Sequence, residues 1–174
     1  VARLGTLDPD EIELAWHGLA APYLDLFAWA EGIGAKPDSV NPAPFHPPML
    51  SHPLDAVTNW RETLLPSEYS AEWKWDGIRV QAVGGRDKQG RHTATLYSRT
   101  GEDISRGFPD LLAAITFDGA IDGELLVLRD GRVQSFNVLQ QRLNRKAITD
   151  KLIADFPVHI RAYDLLSENG EDLR

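Results

Sequence analysis

The sequence predicts an α+β fold in which antiparallel strands are flanked by helices and preceded by a short helical segment. Short stretches of β-forming residues are separated by turn signals such as Asp130-Gly131, a pattern that is typical of hairpins. Helical stretches lie among these hairpins and do not follow every strand, which argues against a parallel βαβ array. Six prolines between residues 37 and 53 separate the N-terminal helices from the β-rich part.

The composition fits one domain with an additional piece attached. The chain has 174 residues, no cysteine and a net charge of -8. The lack of cysteine excludes disulfides, thiolate zinc sites and cysteine nucleophiles, and we expect a cytoplasmic location. No apolar run approaches the roughly 20 residues that a membrane-spanning helix needs. The negative charge argues against a self-sufficient nucleic-acid binder, because contacts to phosphates need basic side chains.

Three regions are predicted along the chain. Residues 1–36 form two helices, the first capped by Asp8 and the second opened by Pro22, and they resemble the end of a preceding helical domain. Residues 37–53 form a stiff Pro-rich linker that packs on the next region through apolar side chains such as Phe45. Residues 54–174 form the main α+β region. Since the chain begins with Val1 and stops soon after a turn, we expect it to be a piece of a longer protein.

Within the main region, alternation and turn residues predict six strands and four helices. The predicted strands are residues 69–75, 78–83, 93–98, 120–128, 132–136 and 158–165. The predicted helices are residues 54–64, 109–115, 138–143 and 148–154. Gly84-Gly85 through Gly90 and Asp130-Gly131 are predicted to supply hairpin turns.

The stretch Glu72–Arg79 concentrates reactive side chains. As a strand it would place its two tryptophans on one face, and Lys74 with two carboxylates on the other. An amine attacks phosphorus only when unprotonated, and roughly one ordinary lysine in a few thousand is neutral at pH 7. Shielding by the tryptophans and nearby cations would favour the neutral form. The common alternative is a strand lysine that simply pairs with its acidic neighbours.

Three further signals accompany this stretch. Asp122 and Glu124 interrupt an apolar strand on one face, where a cation or a hydroxyl-bearing ligand would justify them. Tyr163 lies in a strand and could offer its ring to a base, although an ordinary core tyrosine is the more frequent case. Arg99 follows a strand and could hold a phosphate. Each signal alone has a structural explanation.

Taken together and in order, these residues resemble the ATP-dependent DNA ligases of the bacterial type. The pattern is Glu-x-Lys-x-Asp-Gly-x-Arg, then Ser-Arg, then Asp-Gly-Glu, then Tyr-Asp-Leu-Leu before Asn-Gly. Residues 8–32 look like the last helices of a ligase DNA-binding domain, and Pro48-Met49-Leu50 is similar to the segment that leads into the adenylation domain. The resemblance implies the nucleotidyltransferase fold that DNA ligases share with mRNA capping enzymes.

The resemblance also implies a mechanism and a role for each matching residue. Lys74 would take AMP from ATP, AMP would pass to the 5′-phosphate of a nick in double-stranded DNA, and the 3′-hydroxyl would then seal the strand. The resemblance further implies that the enzyme uses Mg²⁺, acts as a monomer and is located in the bacterial cytoplasm at the nucleoid. The implied nucleotide contacts are adenine selection by Glu72, ribose binding by Arg79 and Glu124, metal binding by Glu124, phosphate contact by Arg99 and stacking by Tyr163.

Some features depart from the family pattern or leave other functions open. Thr100 stands where family members often have Asn after Ser-Arg. The chain stops before the later metal-binding and two-lysine motifs and before the OB-fold domain, so we expect the fragment alone to be incomplete for catalysis. An RNA ligase, a capping-type guanylyltransferase and an inert nucleotide-binding remnant remain alternatives. Residues 132–151 carry five basic side chains against one acid, which fits either a DNA-facing patch or a solvated helix.

Overall fold

A computed structural model describes residues 5–53, 64–143, 145 and 147–174. Its centre is an antiparallel sheet of six strands in the order β2-β1-β3-β5-β6, with β4 paired to β3. The strands are β1 (Ile78–Arg86), β2 (His92–Ser98), β3 (Gly119–Arg129), β4 (Arg132–Val133), β5 (Val158–Glu168) and β6 (Glu171–Asp172). The described helices are α1 (Pro9–His17), α2 (Leu24–Ala30), α3 (Pro109–Ala114), α4 (Phe136–Leu139) and α5 (Asp150–Asp155). The predicted α+β class with an antiparallel sheet is therefore confirmed.

Both faces of the sheet are covered, so its central strands are buried on both sides. Alternation along β1 directs Val80 and Ala82 to one face, and Gln81 and Val83 to the other. The first face packs under the helices α3 and α4 as the larger core, whose buried members are Val80, Ala82, Leu96, Phe108, Ile115, Leu125, Val127 and Leu139. The second face is covered by residues 41–50 of the Pro-rich linker, hereafter the strap. The smaller core there consists of Ala43, Phe45, Val83, Tyr97, Ala120 and Leu166.

The strap is held on the sheet by hydrogen bonds as well as by apolar contact. Tyr97 donates its hydroxyl proton to the Ala43 carbonyl over 2.7 Å. The His46 N–H donates to Gln81 Oε1 over 2.7 Å, and Gln81 Nε2 returns a bond to the His46 carbonyl over 2.9 Å. Phe45 is 4% exposed, and its ring meets that of Tyr97 at 5.5 Å between centroids. The predicted packing of the linker through Phe45 is therefore observed.

The N-terminal helices follow their capping signals. The Asp8 carboxylate accepts the N–H of Asp10 over 2.8 Å, and Pro9 begins α1 as predicted. The second helix begins at Leu24 rather than at Pro22. The ring of His17, at the end of α1, contacts Phe45 of the strap with centroids 4.8 Å apart. None of the described helices has both the length and the apolar character to cross a membrane.

The predicted strand over residues 69–75 is wrong. This segment pairs with none of the described strands, and the ladder begins only at Ile78. A segment becomes a strand only by pairing with a neighbour. The chain joins the sheet just after Gly77, where its backbone passes close to β3. A Cβ on Gly77 would lie 2.2 Å from the Leu125 carbonyl oxygen, so only glycine allows this close approach.

Several smaller predictions also need correction. Gly84 and Gly85 lie inside β1, and the hairpin turn comes later, at residues 87–91. Only Arg132–Val133 of the predicted strand 132–136 pairs, because the chain enters α4 at Phe136. A short β6 pairs with β5 after the final turn. The helix predicted over residues 54–64 lies almost wholly outside the described residues.

Arg142 is a fully buried charge that ties three segments together. Its guanidinium pairs with Asp110 at the start of α3 and donates to the carbonyl oxygens of Gly107 and Phe156, at 3.4 and 2.8 Å. This residue belongs to the basic stretch 132–151. Because it is buried and paired, Arg142 fits neither of the two alternatives considered for this stretch, a DNA-facing patch or a solvated helix.

Replacing Arg142 with alanine is expected to lower the free energy of unfolding by about 3 kcal/mol, because Asp110 would lose its partner beside a new cavity. Urea denaturation of the protein measures this change. Arg145→Ala is the matched control, since Arg145 is exposed in the same segment and, among the described residues, bonds to Gln141 alone. Equal losses in the two variants would contradict the structural role of Arg142.

Candidate active site

One cavity of about 810 Å³ brings together every site residue that the sequence predicts. It opens where β1, β3 and β5 meet the strap and the segment that precedes β1. The predicted residues that line it are Glu72, Lys74, Arg79, Arg99, Glu124 and Tyr163. The strap adds Met49 and Leu50, which are 40% and 53% exposed.

The pairing of β1 with β3 creates the polar centre of this cavity. Arg79 lies directly opposite Glu124, and Gln81 lies opposite Asp122. Because strand side chains alternate, all four lie on the strap side of the sheet. The prediction that Asp122 and Glu124 share a face is thus confirmed. The sheet places one guanidinium beside two carboxylates within a short stretch of two strands.

Arg79 is held by two acceptors on one of its nitrogens. Its Nη2 donates to Asp122 Oδ2 over 2.6 Å and to the Met49 carbonyl over 3.0 Å. Burial opposes the positive charge, but the hydrogen bond and the charge of Asp122 outweigh it, so the pKa of Arg79 is raised. Arg79 Nε is buried and has no hydrogen-bond partner among the described residues. The side chain as a whole is 19% exposed and lines the cavity, where its other guanidinium nitrogen could meet a hydroxyl-bearing ligand.

Tyr163 reaches the cavity from a β-bulge. Along the β3–β5 ladder, Asp122 pairs with Asp164 and Gly123 pairs with Ala162, so Tyr163 is one of the two extra residues of β5. The guanidinium carbon of Arg79 lies 5.6 Å from its ring centroid. Burial, with added effect from nearby carboxylates, raises the pKa of Tyr163 to about 12. The phenol therefore stays protonated at neutral pH and offers a neutral aromatic face.

Lys74 lies at the rim of the cavity and is exposed. Trp73 is 85% exposed, so the predicted shielding of Lys74 between two tryptophans is wrong. Trp75 lines the cavity as well, and the guanidinium carbon of Arg161 lies 4.6 Å from the centroid of its indole ring. Lys74 is nevertheless close enough to Glu124 for its charge to affect the pKa of that carboxyl. The amine is accessible and shares a cavity with the acidic strand.

Glu124 anchors the segment that carries Lys74. Its Oε1 accepts the N–H of Gly77 over 3.0 Å, three residues after the lysine. Burial raises the pKa of Glu124, although the Gly77 N–H and the Lys74 charge act in the opposite direction. A partly desolvated carboxylate of this kind fits a bound cation, which would offset the cost of its burial. The described residues contain no cluster of three or more potential metal ligands, so metal binding by Glu124 stays a prediction.

Glu72 and Arg99 reach the cavity from its outer edge. Arg99 lies in the turn after β2, and this turn rests on the strap and on α1. A Cβ on Gly101, which has a φ of 80°, would lie 3.2 Å from both Phe45 and His17. Within the part of the chain that the structure describes, neither Glu72 nor Arg99 forms an ion pair. Both are exposed and positioned to meet a ligand that enters from solvent.

Sequence reasoning missed the residues that support Arg79. It left the role of Asp122 undecided, and it gave no role to Gln81 or to the carbonyl of Met49. One signal was present: Gln81 is a polar residue two positions after Arg79, in an otherwise apolar strand. Its 1% exposure shows that it belongs to the interior behind the site.

Comparison with known proteins agrees with this site. The model of the ATP dependent DNA ligase domain family matches residues 48–174, which is more than half of the chain. The chain therefore belongs to the ATP-dependent DNA ligase domain family. The match begins inside the strap and includes all six residues that the sequence assigns to the site.

Individual relatives point to the same family. A probable DNA ligase of Koribacter versatilis is 37% identical over 133 residues, covering 73% of this chain and 22% of that protein. A probable DNA ligase of Opitutus terrae is 44% identical over 108 residues, covering 59% of this chain and 10% of that protein. A solved mycobacterial DNA ligase D, complexed with ATP and MES, is 30% identical with a TM-score of 0.43 over 59% of this chain and 30% of that chain. The chain spans less than a quarter of these curated relatives.

Glu124→Gln tests the electrostatic state of the site. Folding raises the pKa of Glu124 above its ordinary 4.5, so the folded state favours the protonated carboxyl. The folded state therefore loses stability as the pH rises from the pKa of the unfolded chain past the pKa of the folded protein. Glutamine is neutral and keeps an acceptor for the Gly77 N–H. At neutral pH we therefore expect the variant to unfold thermally at the same or a higher temperature than the wild type.

This stability difference should shrink at about pH 4, where the wild-type carboxyl is protonated in both states. Thermal unfolding at the two pH values measures it, with the exposed Glu102→Gln as control. A variant that unfolds at a lower temperature than the wild type at neutral pH would show that the carboxylate stabilises the fold.

Proposed function

We propose that the protein containing this chain is an ATP-dependent DNA ligase that seals nicks in double-stranded DNA through AMP bound to Lys74. One observation carries the proposal: in a chain of the ligase domain family, all six predicted site residues line a single cavity. Phosphoryl transfer depends chiefly on positioning and on neutralising charge, and this set of side chains supplies both.

In the first step, Lys74 Nζ attacks the α-phosphorus of ATP. A phosphorus–nitrogen bond forms, the bond to the pyrophosphate oxygen breaks, and the amine loses its proton to solvent or to a nearby base. The exposed position of Lys74 suits this role, since the amine must meet ATP and later present AMP to DNA. The hydrogen bond between Gly77 and Glu124 fixes the segment on which Lys74 sits.

In the next steps AMP moves from Lys74 to the 5′-phosphate at the nick, and the 3′-hydroxyl then displaces AMP to join the strand. The exposed Arg99 would contact phosphate of the nucleotide or of the nick. The enzyme would act as a monomer on nicked DNA in the bacterial cytoplasm, at the nucleoid. Basic surfaces outside this acidic chain would supply most DNA contacts.

The remaining contacts in the cavity fit a purine nucleoside. Tyr163 would stack on adenine, and Glu72 would select its amino group. The Arg79 side chain, which lines the cavity beside Glu124, would donate to a ribose hydroxyl. These roles match both the residue types and their places around the cavity.

Mg²⁺ fits the carboxylate of Glu124, which is partly desolvated and carries a raised pKa. When bound, the ion would neutralise negative charge on the phosphates. Arg79 and Arg99 contribute further positive charge from the chain itself. The ribose and metal roles of Glu124 draw on the same carboxyl group.

The proposed nucleophile is tested on the full-length protein with ATP and Mg²⁺. We expect the wild type to gain the mass of one AMP, and Lys74→Ala to gain none, because no other amine takes the place of Lys74. Intact-mass spectrometry measures the adduct. Lys88→Ala is the matched control, since Lys88 is exposed in the β1–β2 turn and should leave labelling unchanged. Equal labelling of the wild type and Lys74→Ala would show that the nucleophile is wrongly assigned.

The substrate classes are separated with the same protein. A DNA ligase that uses ATP should label with ATP and not with GTP, and should seal nicked DNA in preference to nicked RNA. Labelling by GTP or sealing of RNA would favour the capping-type or RNA ligase alternatives.

Tyr163 should contribute through its ring and not through its hydroxyl group. Tyr163→Ala is expected to raise the ATP concentration that gives half-maximal labelling roughly tenfold, since stacking of a base on an aromatic side chain is worth about 1–3 kcal/mol. Tyr163→Phe keeps the ring and should stay close to the wild type. The rate of AMP labelling at increasing ATP concentrations measures both, and a large effect of Tyr163→Phe would contradict the stacking role.

A further inference from the structure

We propose that Gln81 is a positioning residue for the nucleotide site, which fixes both acceptors that hold Arg79. This inference rests on the proposed function, because it assigns Gln81 a role in binding ATP. Gln81 does not line the cavity; it lies one layer behind it, 1% exposed, between the strap and β3. Its effect on ATP is exerted through Arg79.

Gln81 acts on the first acceptor, the carbonyl of Met49, through the strap. Gln81 forms two hydrogen bonds with the backbone of His46, at 2.7 and 2.9 Å, in the manner of a paired strand residue. Three residues further on, the Met49 carbonyl accepts Arg79 Nη2 over 3.0 Å. Because Pro47 and Pro48 join these two points, the intervening backbone is stiff. Fixing His46 therefore fixes the carbonyl of Met49.

Gln81 acts on the second acceptor, the carboxylate of Asp122, across the sheet. Gln81 is the direct cross-strand neighbour of Asp122, and its Nε2 lies 3.5 Å from Asp122 Oδ1. The other carboxylate oxygen, Oδ2, accepts Arg79 Nη2 over 2.6 Å. Asp122 is 2% exposed and therefore depends on donors from the protein. Gln81 thus occupies the oxygen that Arg79 does not use and limits rotation of the carboxylate.

The result is a defined orientation of the guanidinium group. Arginine has several rotatable bonds, and a single contact would leave its head group mobile. With Nη2 held by both Met49 and Asp122, Arg79 Nε stays in the interior without a partner among the described residues. The exposed part of the same side chain lines the cavity, and the proposed function assigns it to the ribose.

Gln81 also serves the fold, because its amide pairs the backbone N–H and carbonyl of His46 and so holds the strap. The neighbours Val80, Ala82 and Val83 are apolar and buried, and an apolar side chain at position 81 would fill the same space. A buried amide is costly unless its polar atoms are paired. Here the carbonyl oxygen bonds to His46, and the amide nitrogen serves both His46 and Asp122. All three contacts lead toward Arg79.

The test uses the full-length protein, with ATP and Mg²⁺ as the probe. The rate of Lys74 labelling is measured at increasing ATP concentrations, which separates the half-saturating concentration from the maximal rate. Gln81→Met keeps the length of the side chain and removes its hydrogen bonds. We expect it to raise the half-saturating ATP concentration roughly tenfold, with a maximal rate within about threefold of the wild type. Gln81→Glu keeps the acceptor but loses the donor, and should shift the ATP requirement in the same direction.

Two comparisons distinguish positioning from a purely structural effect. Val83→Ala is the matched control: Val83 lies on the same face of β1 and packs in the strap-side core, but it bonds to neither acceptor. It should lower stability while leaving the half-saturating ATP concentration unchanged. In an Arg79→Ala background, Gln81→Met should have no further effect on that concentration, because the residue through which it acts is gone.

A wild-type ATP requirement in both Gln81 variants would overturn the inference. So would an equal shift in Val83→Ala, or a full additional shift in the Arg79→Ala background. If the wild type forms no AMP adduct at all, the proposed function fails and the role of Gln81 fails with it. If the wild type labels normally and Gln81→Met matches it, only the role of Gln81 is wrong.

Discussion

The antiparallel pairing of β1 with β3 is the constraint on which the site depends. It sets Arg79 opposite Glu124 and Gln81 opposite Asp122, and it directs all four side chains toward the strap. Shifting the register by one residue would turn these groups into the apolar core under the helices. The alternating apolar residues of β1 therefore fix the register for folding, and the same register assembles the polar site. Fold stability and site geometry share one hydrogen-bonded ladder.

The strap adds a second constraint, because it belongs to the site and to the core at once. Its apolar residues Ala43 and Phe45 are buried against the sheet, and its carbonyl at Met49 holds Arg79. A segment that looks like a linker by composition is therefore a wall of the cavity. The turn that carries Arg99 rests on the same segment, so two cationic side chains take their position from it.

Much of this organisation could be predicted from local signals in the sequence. Local signals include hairpin turns such as Asp130-Gly131, the Asp8 cap and the alternation in β1 and β3. They could be recognised because each depends on residues that are near in sequence or on a regular period of side chains. The six site residues could be selected because their order and spacing match a family pattern. The surroundings of Lys74 could not be predicted, because the exposure of Trp73 depends on whether its segment pairs with a strand. Periodicity alone does not reveal that.

Long-range contacts account for most of what the sequence did not reveal. The burial of Arg142 depends on Asp110, Gly107 and Phe156, which come together only after folding, so this arginine looks like part of a basic patch. The support given by Gln81 to Arg79 likewise runs through the strap and β3. Such residues carry no local signal beyond being polar in an apolar context. A polar residue among apolar ones shows that the position is unusual, but it does not show which residue it bonds to.

The bulge at Tyr163 has a consequence for the length of β5. Because this residue is surplus to the ladder with β3, deleting one position nearby would let this part of the strand pair without a bulge, and the second irregularity of the ladder, at Leu166, would remain. The sheet would keep its backbone hydrogen bonds, yet the ring would leave the cavity or reverse its side. Gaps in this strand should therefore be rarer among functional relatives than substitutions are, because what is constrained here is the number of residues as much as their chemistry.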